Sequence, residues 1–396
     1  MSVLFCHDHR FEVDERGRIY SQGQYDSRVF SRYIDLFGEL RLACRVRPVT
    51  SDETAGLSAC SMPGLSLARV PELSSLGGLL WRNGVERAFA RAMADCDAVI
   101  ARLPSEIGLA ALATAHRLGK PAAVEVVACV RDGLNHHGSW KARLYAPIAY
   151  HRMRRAVARS SHTLYVTERF LQARYPAYGV AGNGISNVEI AVDDKALDRR
   201  LARIAHGATP VLGFIGALRH RQKGLDVAMR ALQEVRARHP NVQLRVLGAG
   251  NPQPWREEAR RMGLEDSMAF DGTLPRGQAV LDWLDHIDIY LHPSYQEGLS
   301  RAIIEALSRG CTVLSSAAGG SPEIVGSACL HAPGEAGVLA AQLHRALAQA
   351  EWRTALAYEN IKTARRFDRQ VLDARRNAFW RRFRADSGIA SPATCG

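Results

Sequence analysis

The chain has 396 residues, of which 47% are hydrophobic and 23% are charged, a composition typical of soluble globular proteins and unlike that of disordered chains. Its length favours two domains, and no apolar run reaches the roughly 18 residues that a membrane-spanning helix needs. The net charge of +12 suits an anionic partner, either nucleic acid, acidic lipid or a phosphorylated small molecule.

The N-terminus and the cysteines both indicate a cytoplasmic protein. His7, Asp8 and His9 interrupt the N-terminal segment too early for the apolar core of a signal peptide. None of the eight cysteines forms a C-x-x-C pair, so neither a zinc site nor a disulfide framework is indicated. We therefore expect buried thiols in a reducing compartment.

Residues 1–192 show a loose alternation of strands and helices and predict an N-terminal, Rossmann-like α/β domain. Short apolar runs predict strands at Asp97–Ala101, Ala122–Val127 and Thr163–Val166. Longer periodic stretches predict helices over Ile107–Arg117 and Lys141–Arg159.

The helix predicted over Lys141–Arg159 is strongly basic. Its cationic residues are Lys141, Arg143, Arg152, Arg154, Arg155 and Arg159, interleaved with Tyr145, Ile148 and Tyr150. A basic amphipathic helix is typical of a surface anchor for anionic lipid, and a solvated helix face is the alternative. An anchor here predicts peripheral attachment at the inner face of the membrane.

A charged segment, residues 193–209, is predicted to connect the domains, and regular alternation begins at residue 210. The predicted strands are Val211–Ile215, Gln243–Leu247, Met268–Phe270, Ile287–Leu291 and Cys311–Ser315. One predicted helix begins near Leu225, and three others cover Trp255–Met262, Gln278–Leu284 and Ile303–Ser308. This alternation predicts a parallel sheet covered on both faces, which is a second Rossmann-like domain over residues 210–365. Residues 366–396 are predicted to form a basic helix and tail, the helix packing back on the N-terminal domain.

Glu297 and Glu305 lie eight residues apart, the first in a loop after a strand and the second within the following helix. The free amides of Gly298, Leu299 and Ser300 are expected at the N-terminus of that helix, where N–H groups and the helix dipole stabilise a diphosphate. Glu297 is then placed to accept hydrogen bonds from sugar hydroxyls, and Glu305 from a ribose. Two solvated acids on a surface helix are the alternative.

Two further loops support the first interpretation. Upstream, Gly216 ends a strand and precedes three cations at Arg219, Arg221 and Lys223, which are suited to neutralising a pyrophosphate leaving group. Downstream, the sequence Gly319-Gly320-Ser321-Pro322-Glu323 follows another strand. Three loops at the carboxyl ends of parallel strands meet in one crevice, where α/β sheets bind ligands.

With these motifs the chain resembles retaining glycosyltransferases of the GT-B fold, specifically family 4. The resemblance covers about Pro210–Val325 well, through Gly213-Phe214-Ile215-Gly216, Lys223-Gly224-Leu225-Asp226, His292-Pro293-Ser294, the two glutamates and Gly319–Glu323. Tyr165-Val166-Thr167-Glu168 and Gly182-Asn183-Gly184-Ile185 match more weakly. The resemblance implies two Rossmann-like domains that face a central cleft. It also implies transfer of a sugar from a nucleoside-diphosphate sugar.

The resemblance also implies individual roles. Lys223 corresponds to the lysine that holds the donor diphosphate, Glu297 to the acid that contacts the transferred sugar, and Glu305 to the ribose ligand. The family often has arginine directly after the glycine that is Gly216 here. This chain has Ala217, so Arg219 or Arg221 is expected to supply that charge.

The acceptor side of the site is predicted in the N-terminal domain. Asn135-His136-His137-Gly138-Ser139-Trp140-Lys141 resembles a stretch of capsule and exopolysaccharide members, and His137 is the catalytic candidate, with His136 beside it. A pair of exposed loop histidines is the alternative. Gly23 is a weaker candidate for a phosphate-side loop.

The expected reaction is transfer with retention through an oxocarbenium-like state, catalysed by positioning and by stabilising the departing diphosphate. No D-x-D motif lies between strands, so neither a metal ion nor another cofactor is expected. The acceptor is expected to be a glycan or a lipid-diphosphate-linked glycan of the bacterial surface. The alternatives are a GT-B sugar-nucleotide epimerase, a phosphorylase, a glycosidase and, from another class, a basic nucleic-acid-binding protein.

Overall fold

The computed structural model describes residues 1–22, 25–71, 82–136, 139–191 and 193–388. The described residues form two compact units. The first unit comprises Met1–Arg131, Trp140–Ile185 and the residues from Asp373 onward. The second unit comprises Asp132–Ser139 and Ser186–Leu372.

This division differs from the expected domain limits at several places, and residues 186–191 and 366–372 also fall in the second unit. Residues 193–209 were expected to connect the domains, but Ala196–Ala205 forms a helix of the second unit. Arg200 on that helix is buried, and its guanidinium donates to Asp288 Oδ1 (3.2 Å) and to the carbonyl of Arg309 (3.0 Å). The segment Asp132–Ser139, expected in the N-terminal domain, also belongs to the second unit.

The sheet of the first unit is largely parallel. Its strands are β1 (Ser2–Val13), β2 (Ile19–Ser21), β3 (Glu39–Pro48), β4 (Ser58–Ala59), β5 (Leu65–Ala68), β6 (Ala98–Leu103), β7 (Ala122–Val126), β8 (His162–Tyr165) and β9 (Val180–Gly182). The parallel order among them is β5-β3-β1-β6-β7-β8-β9, while β2 pairs antiparallel with the end of β1 and with β4. The three strands predicted from short apolar runs correspond to β6, β7 and β8.

The helices of the first unit cover this sheet. They are α1 (Ser27–Phe37), α2 (Arg82–Met93), α3 (Glu106–Arg117), α5 (Trp140–Ala158) and α6 (Phe170–Arg174), while α4 (Val130–Asn135) runs from the first unit into the second. α5 buries one face only, with Ala146, Ala149, Met153 and Val157 inward. The helices predicted at 107–117 and 141–159 therefore form at α3 and α5.

The C-terminal helix α14 (Arg369–Asp386) completes the core of the first unit. Its side chains Phe379, Trp380 and Phe383 are buried there. The Trp380 ring lies 5.9 Å from Tyr33 and 6.2 Å from Phe37, both on α1. The expected packing of this helix on the N-terminal domain is confirmed.

The second unit has a six-stranded parallel sheet. Its strands are β10 (Val211–Ile215), β11 (Gln243–Leu247), β12 (Met268–Gly272), β13 (Ile289–His292), β14 (Thr312–Ser316) and β15 (Leu330–His331). The strands lie in the order β12-β11-β10-β13-β14-β15. The chain enters the sheet at β10, extends it to β12, and then crosses back to add β13 on the other side of β10, as in a doubly wound Rossmann sheet. The carboxyl ends of β10 and β13 therefore flank a switch point where such sheets bind ligands.

Several helices of the second unit are amphipathic and bury the apolar face that their sequence period predicts. They are α7 (Ala196–Ala205), α8 (Leu225–Arg236), α9 (Gln253–Arg261), α10 (Gln278–Asp285), α11 (Arg301–Ser308), α12 (Ala336–Ala348) and α13 (Ala350–Ala364). On α8, Leu225, Ala228, Leu232 and Val235 are all buried, as their spacing predicts. Within the described residues no helix has the combined length and apolar character that crossing a membrane requires.

Candidate active site in the second unit

Two loops at the switch point bring a lysine and a glutamate together. Lys223 lies in a short 3-10 turn, Arg221–Lys223, that follows β10, and Glu297 lies in the loop after β13. Lys223 Nζ donates to Glu297 Oε1 at 2.5 Å. Gly224 follows with φ +78°, and a Cβ there would lie 2.0 Å from the carbonyl oxygen of Pro293. The two loops thus touch through backbone as well as through the ion pair.

His292 holds the same carboxylate from the other side. It is the last residue of β13 and is buried, and its Nε2 donates to Glu297 Oε1 at 2.7 Å. Its Nδ1 lies 3.3 Å from the hydroxyl of Tyr290, which is also buried. His292 is a site residue that the sequence analysis did not assign, although it stands in the His292-Pro293-Ser294 match. A buried histidine directly at a strand end was the available signal.

The electrostatics of Glu297 favour its ionised form. Burial raises the pKa of this carboxyl, but the nearby charges of His292 and Lys223 and their hydrogen bonds outweigh burial and lower the pKa to about 2. Glu297 is therefore an anion at neutral pH, held in one orientation by two donors. Such a carboxylate accepts hydrogen bonds from hydroxyl groups and cannot act as a general acid.

Glu305 has the opposite character. It lies on α11 and is buried, and burial raises its pKa to about 7, an effect that Arg301 and Arg276 only partly offset. A carboxyl with that pKa gains from a neighbour that donates hydrogen bonds to it. Ribose hydroxyls are donors of that kind.

The backbone just before α11 has N–H donors that no described residue uses. In the part of the chain that the structure describes, no backbone or side-chain acceptor bonds the amides of Gly298, Leu299 and Ser300. Ser300 is the N-cap residue of α11, so these amides precede the positive end of a helix dipole. The third loop lies close, since Gly320 N donates to the carbonyl of Gly298 at 2.7 Å. An oxyanion at this position would meet free N–H groups and the helix N-terminus together.

The other predicted donor residues divide into two groups. Gly216 packs against Lys223, because a Cβ at Gly216 would lie 2.9 Å from the Lys223 Cβ. Arg221 pairs with Glu258 on α9 at 2.8 Å, and its guanidinium stacks 5.2 Å from the Trp255 ring centre. Arg219 is exposed in the loop after β10. The structure therefore brings Lys223 and Gly216 to Glu297, and gives Arg221 a partner of its own.

The histidine segment lies beside the same loops. His136 is exposed, and its carbonyl accepts a hydrogen bond from Gln222 Nε2 at 3.1 Å. Its ring stacks on Tyr295, with 6.2 Å between ring centres. Gln222 precedes Lys223, and Tyr295 is two residues from Glu297. His137 and Gly23, the other two acceptor-side candidates, lie outside the described residues.

No group of three or more metal-binding side chains is arranged to hold an ion within the described ranges.

Comparison with known proteins shows which proteins the second unit resembles. Residues 209–349 match the family described as glycosyl transferases group 1. Over 364 residues the chain is 27% identical to Protein CapJ of Staphylococcus aureus, covering 91% of this chain and 90% of CapJ.

Solved structures show the fold of the whole chain. Anabaena HepE in complex with UDP superimposes with a TM-score of 0.62 at 17% identity, covering 98% of this chain and 100% of HepE. WaaG, a glycosyltransferase involved in lipopolysaccharide biosynthesis, gives a TM-score of 0.61 at 14% identity over 96% of this chain and 98% of its own. The predicted GT-B fold with two Rossmann-like domains is confirmed. Residues 209–349 thus resemble glycosyl transferases group 1, and the protein is a glycosyltransferase.

Proposed function

We propose that this protein is a retaining glycosyltransferase of family 4 that moves a sugar from a nucleoside-diphosphate sugar to a glycan or lipid-linked glycan of the bacterial surface. The observation that carries the proposal is the Lys223–Glu297 pair beside three free amides at the start of α11. A diphosphate needs cations and N–H donors, and a sugar ring needs a fixed acceptor for its hydroxyls. Both requirements meet at this one position.

Similar proteins support the donor class. HepE has been solved with UDP and with UDP-glucose. In this chain, Lys223 and the amides of Gly298, Leu299 and Ser300 would hold the diphosphate, Glu305 the ribose and Glu297 the transferred sugar. The exposed loop cations Arg219 and Arg221 are the remaining donor candidates, Arg221 after leaving Glu258.

The transfer step follows from what these groups do. As the bond between the anomeric carbon and the diphosphate oxygen breaks, negative charge grows on that oxygen beside Lys223 and the helix N-terminus. The anionic carboxylate of Glu297 orients the sugar and faces the positive charge that develops on the ring. The acceptor hydroxyl attacks from the face that the nucleotide leaves, which retains the anomeric configuration. These groups supply the stabilisation without a metal ion.

The segment around His136 supports the second catalytic candidate. Gln222 and Tyr295 both contact His136, and in the sequence they lie one and two residues from Lys223 and Glu297. We propose that His137 contacts the transferred sugar or its acceptor, and that His136 positions the segment. Gly23 stays a weaker candidate on the acceptor side.

The acceptor class draws support from relatives. WaaG and WaaB, the latter a lipopolysaccharide outer core galactosyltransferase, share the fold. A glycan or a lipid-diphosphate-linked glycan of the bacterial surface is the acceptor class that we propose for this chain.

A panel of nucleotides and nucleotide-sugars, read by thermal shift, tests the donor site. A ligand that binds only the folded state stabilises it by RT ln(1 + [L]/Kd), about 2.7 kcal/mol at one hundred times Kd. We expect a nucleoside diphosphate to raise the melting temperature of the wild type and to have a much smaller effect on Lys223→Met. No shift from any nucleotide would refute the donor assignment.

Product analysis tests the reaction. With the preferred donor and a glycan acceptor, nuclear magnetic resonance of the new linkage should show the donor's own anomeric configuration, with EDTA present or absent. Inversion would refute retention, and loss of activity in EDTA would refute metal independence. Conversion of the donor alone into an isomer would indicate the epimerase alternative.

A further inference from the structure

Helix α5 of the first unit carries three large apolar side chains that face solvent. Trp140, Leu144 and Ile148 are 68%, 73% and 57% exposed. They stand at positions i, i+4 and i+8 and so form one continuous row, here called the apolar stripe. Single exposed apolar residues are ordinary, but three neighbours on one helix face form a patch of the kind that marks an interaction surface.

The same helix carries an unusual concentration of charge. Between residues 139 and 159 the sequence contains six Lys or Arg residues and no Asp or Glu. Lys141 and Arg143 flank the start of the apolar stripe, and Arg154 and Arg155 are exposed on the turns that follow it. Two of the six have partners on α3: Arg152 pairs with Glu106 at 2.8 Å, and Arg159 hydrogen-bonds His116. The solvent face of α5 is therefore apolar in its N-terminal half, and cationic residues lie beside and after that apolar half.

The structure also shows that the aromatic residues of this helix divide between its two faces. Tyr150 donates to the carbonyl of Arg174 at 2.9 Å, and Tyr145 donates to Glu106 at 3.0 Å. Both tyrosines serve the packing of the first unit. Of Tyr145, Ile148 and Tyr150, which the sequence analysis named, Ile148 is the one in the apolar stripe. Trp140 and Leu144 form the rest of the stripe.

We propose that α5 docks the protein on an anionic phospholipid membrane, with the apolar stripe entering the interface between head groups and acyl chains. The cations beside it then face lipid phosphates. Interfacial helices combine these two features, a cationic polar face and a Trp- or Leu-bearing apolar face. Trp140 suits the position, because an indole ring favours the head-group region. Charge complementarity selects anionic lipid rather than neutral lipid or a second copy of this chain, whose α5 would be equally cationic.

Vesicle sedimentation tests the proposal with the whole protein. Wild type should bind vesicles of phosphatidylcholine with phosphatidylglycerol, and bind phosphatidylcholine alone at least about tenfold more weakly. The stripe variant Trp140→Ser/Leu144→Ser/Ile148→Ser should lose at least about tenfold in binding. The charge variant Arg154→Glu/Arg155→Glu should lose binding most at low salt, where cation–lipid attraction is least screened. A control variant, Leu118→Ser/Tyr178→Ser, removes equally exposed apolar side chains elsewhere in the first unit and should bind like wild type.

Tryptophan fluorescence gives an independent readout. The chain has six tryptophans, and Trp255, Trp283 and Trp380 are buried. Anionic vesicles should shift the emission of wild type to shorter wavelength, and Trp140→Phe should remove that shift while keeping vesicle binding.

Three results would overturn the proposal: no binding to anionic vesicles, equal binding by the stripe variant, or self-association without vesicles that the stripe variant abolishes. The thermal shift with UDP is measured on every variant. It reports the donor site in the second unit, so failure of the proposed function and failure of membrane docking give separate results.

Discussion

Replacing Lys223 with methionine tests the central ion pair through stability as well as through activity. Glu297 is buried and has a pKa of about 2 against an ordinary 4.5, a difference of about 2.5 pKa units. At 1.36 kcal/mol per unit, its surroundings favour the charged carboxylate by about 3 kcal/mol. Methionine removes the lysine charge and one of the two hydrogen-bond donors to this carboxylate, and it leaves the cost of burial in place. We expect Lys223→Met to lower the free energy of unfolding by about 1–3 kcal/mol at pH 7.

The sign of the pH dependence follows from the lowered pKa. An acid whose folded pKa is below its unfolded value stabilises the fold above about pH 4.5, and this contribution is lost as the pH falls toward 2. The difference in the free energy of unfolding between wild type and Lys223→Met should therefore be largest at pH 7. It should be clearly smaller at pH 4, where the carboxyl of the variant is protonated.

Urea unfolding at both pH values measures this difference. Lys362→Met is the matched control, because Lys362 is exposed on α13 of the same unit. It should unfold within about 0.5 kcal/mol of wild type at each pH. In parallel, kcat/KM for the donor should fall by about 10²-fold in Lys223→Met. A stability loss that is equal at pH 7 and pH 4, or no loss at all, would refute the reasoning.

Three further substitutions probe the same site. Glu305→Gln should stabilise the fold by up to about 3 kcal/mol at pH 8, because a buried acid with its pKa raised to about 7 destabilises progressively between pH 4.5 and 7. Urea unfolding should show this gain vanishing below pH 4.5, while the nucleotide-induced thermal shift decreases; equal stability at pH 8 would contradict the assignment. His292→Phe should lower kcat by about tenfold or more, whereas His292→Gln, which keeps an N–H donor, should retain more; equal rates would argue against positioning of Glu297. Gly319→Ala should lower the free energy of unfolding by about 2 kcal/mol or more, because the φ of Gly319 is +60° and the alanine Cβ would lie 2.2 Å from the Glu297 carbonyl oxygen. Gly326→Ala, where the Cβ meets open space, is the control, and identical melting curves would refute the strain argument.

The second unit was largely predictable from sequence. Its strands are short apolar runs such as Val211–Ile215, whose three middle residues are buried, and several of its helices have a regular apolar period, so the local patterns favour alternating strands and helices. The first unit was less so, because β1 (Ser2–Val13) runs through His7, Asp8 and His9, where side-chain polarity hides an extended backbone.

The site was predictable in its parts but not in its pairings. Parallel strand order places the loops of Lys223 and Glu297 at one edge, and this follows from alternation alone. The hydrogen bond from Lys223 to Glu297 joins residues 74 positions apart. The hydrogen bond from His292 to Glu297 depends on a side-chain rotamer at a strand end, so neither bond follows from the sequence pattern. Assignment of His136 to the second unit depends on its contacts with Gln222 and Tyr295, which no sequence pattern encodes.

The placement of α14 has a consequence for biosynthesis. The core of the first unit is built from the earliest residues of the chain and from Phe379, Trp380 and Phe383 near its end. While a ribosome is still making the second unit, the pocket between Tyr33 and Phe37 has no indole to fill it. A core whose first residues precede the second unit in the chain is therefore closed only after that unit is made, and removing residues from Asp373 onward would leave it open.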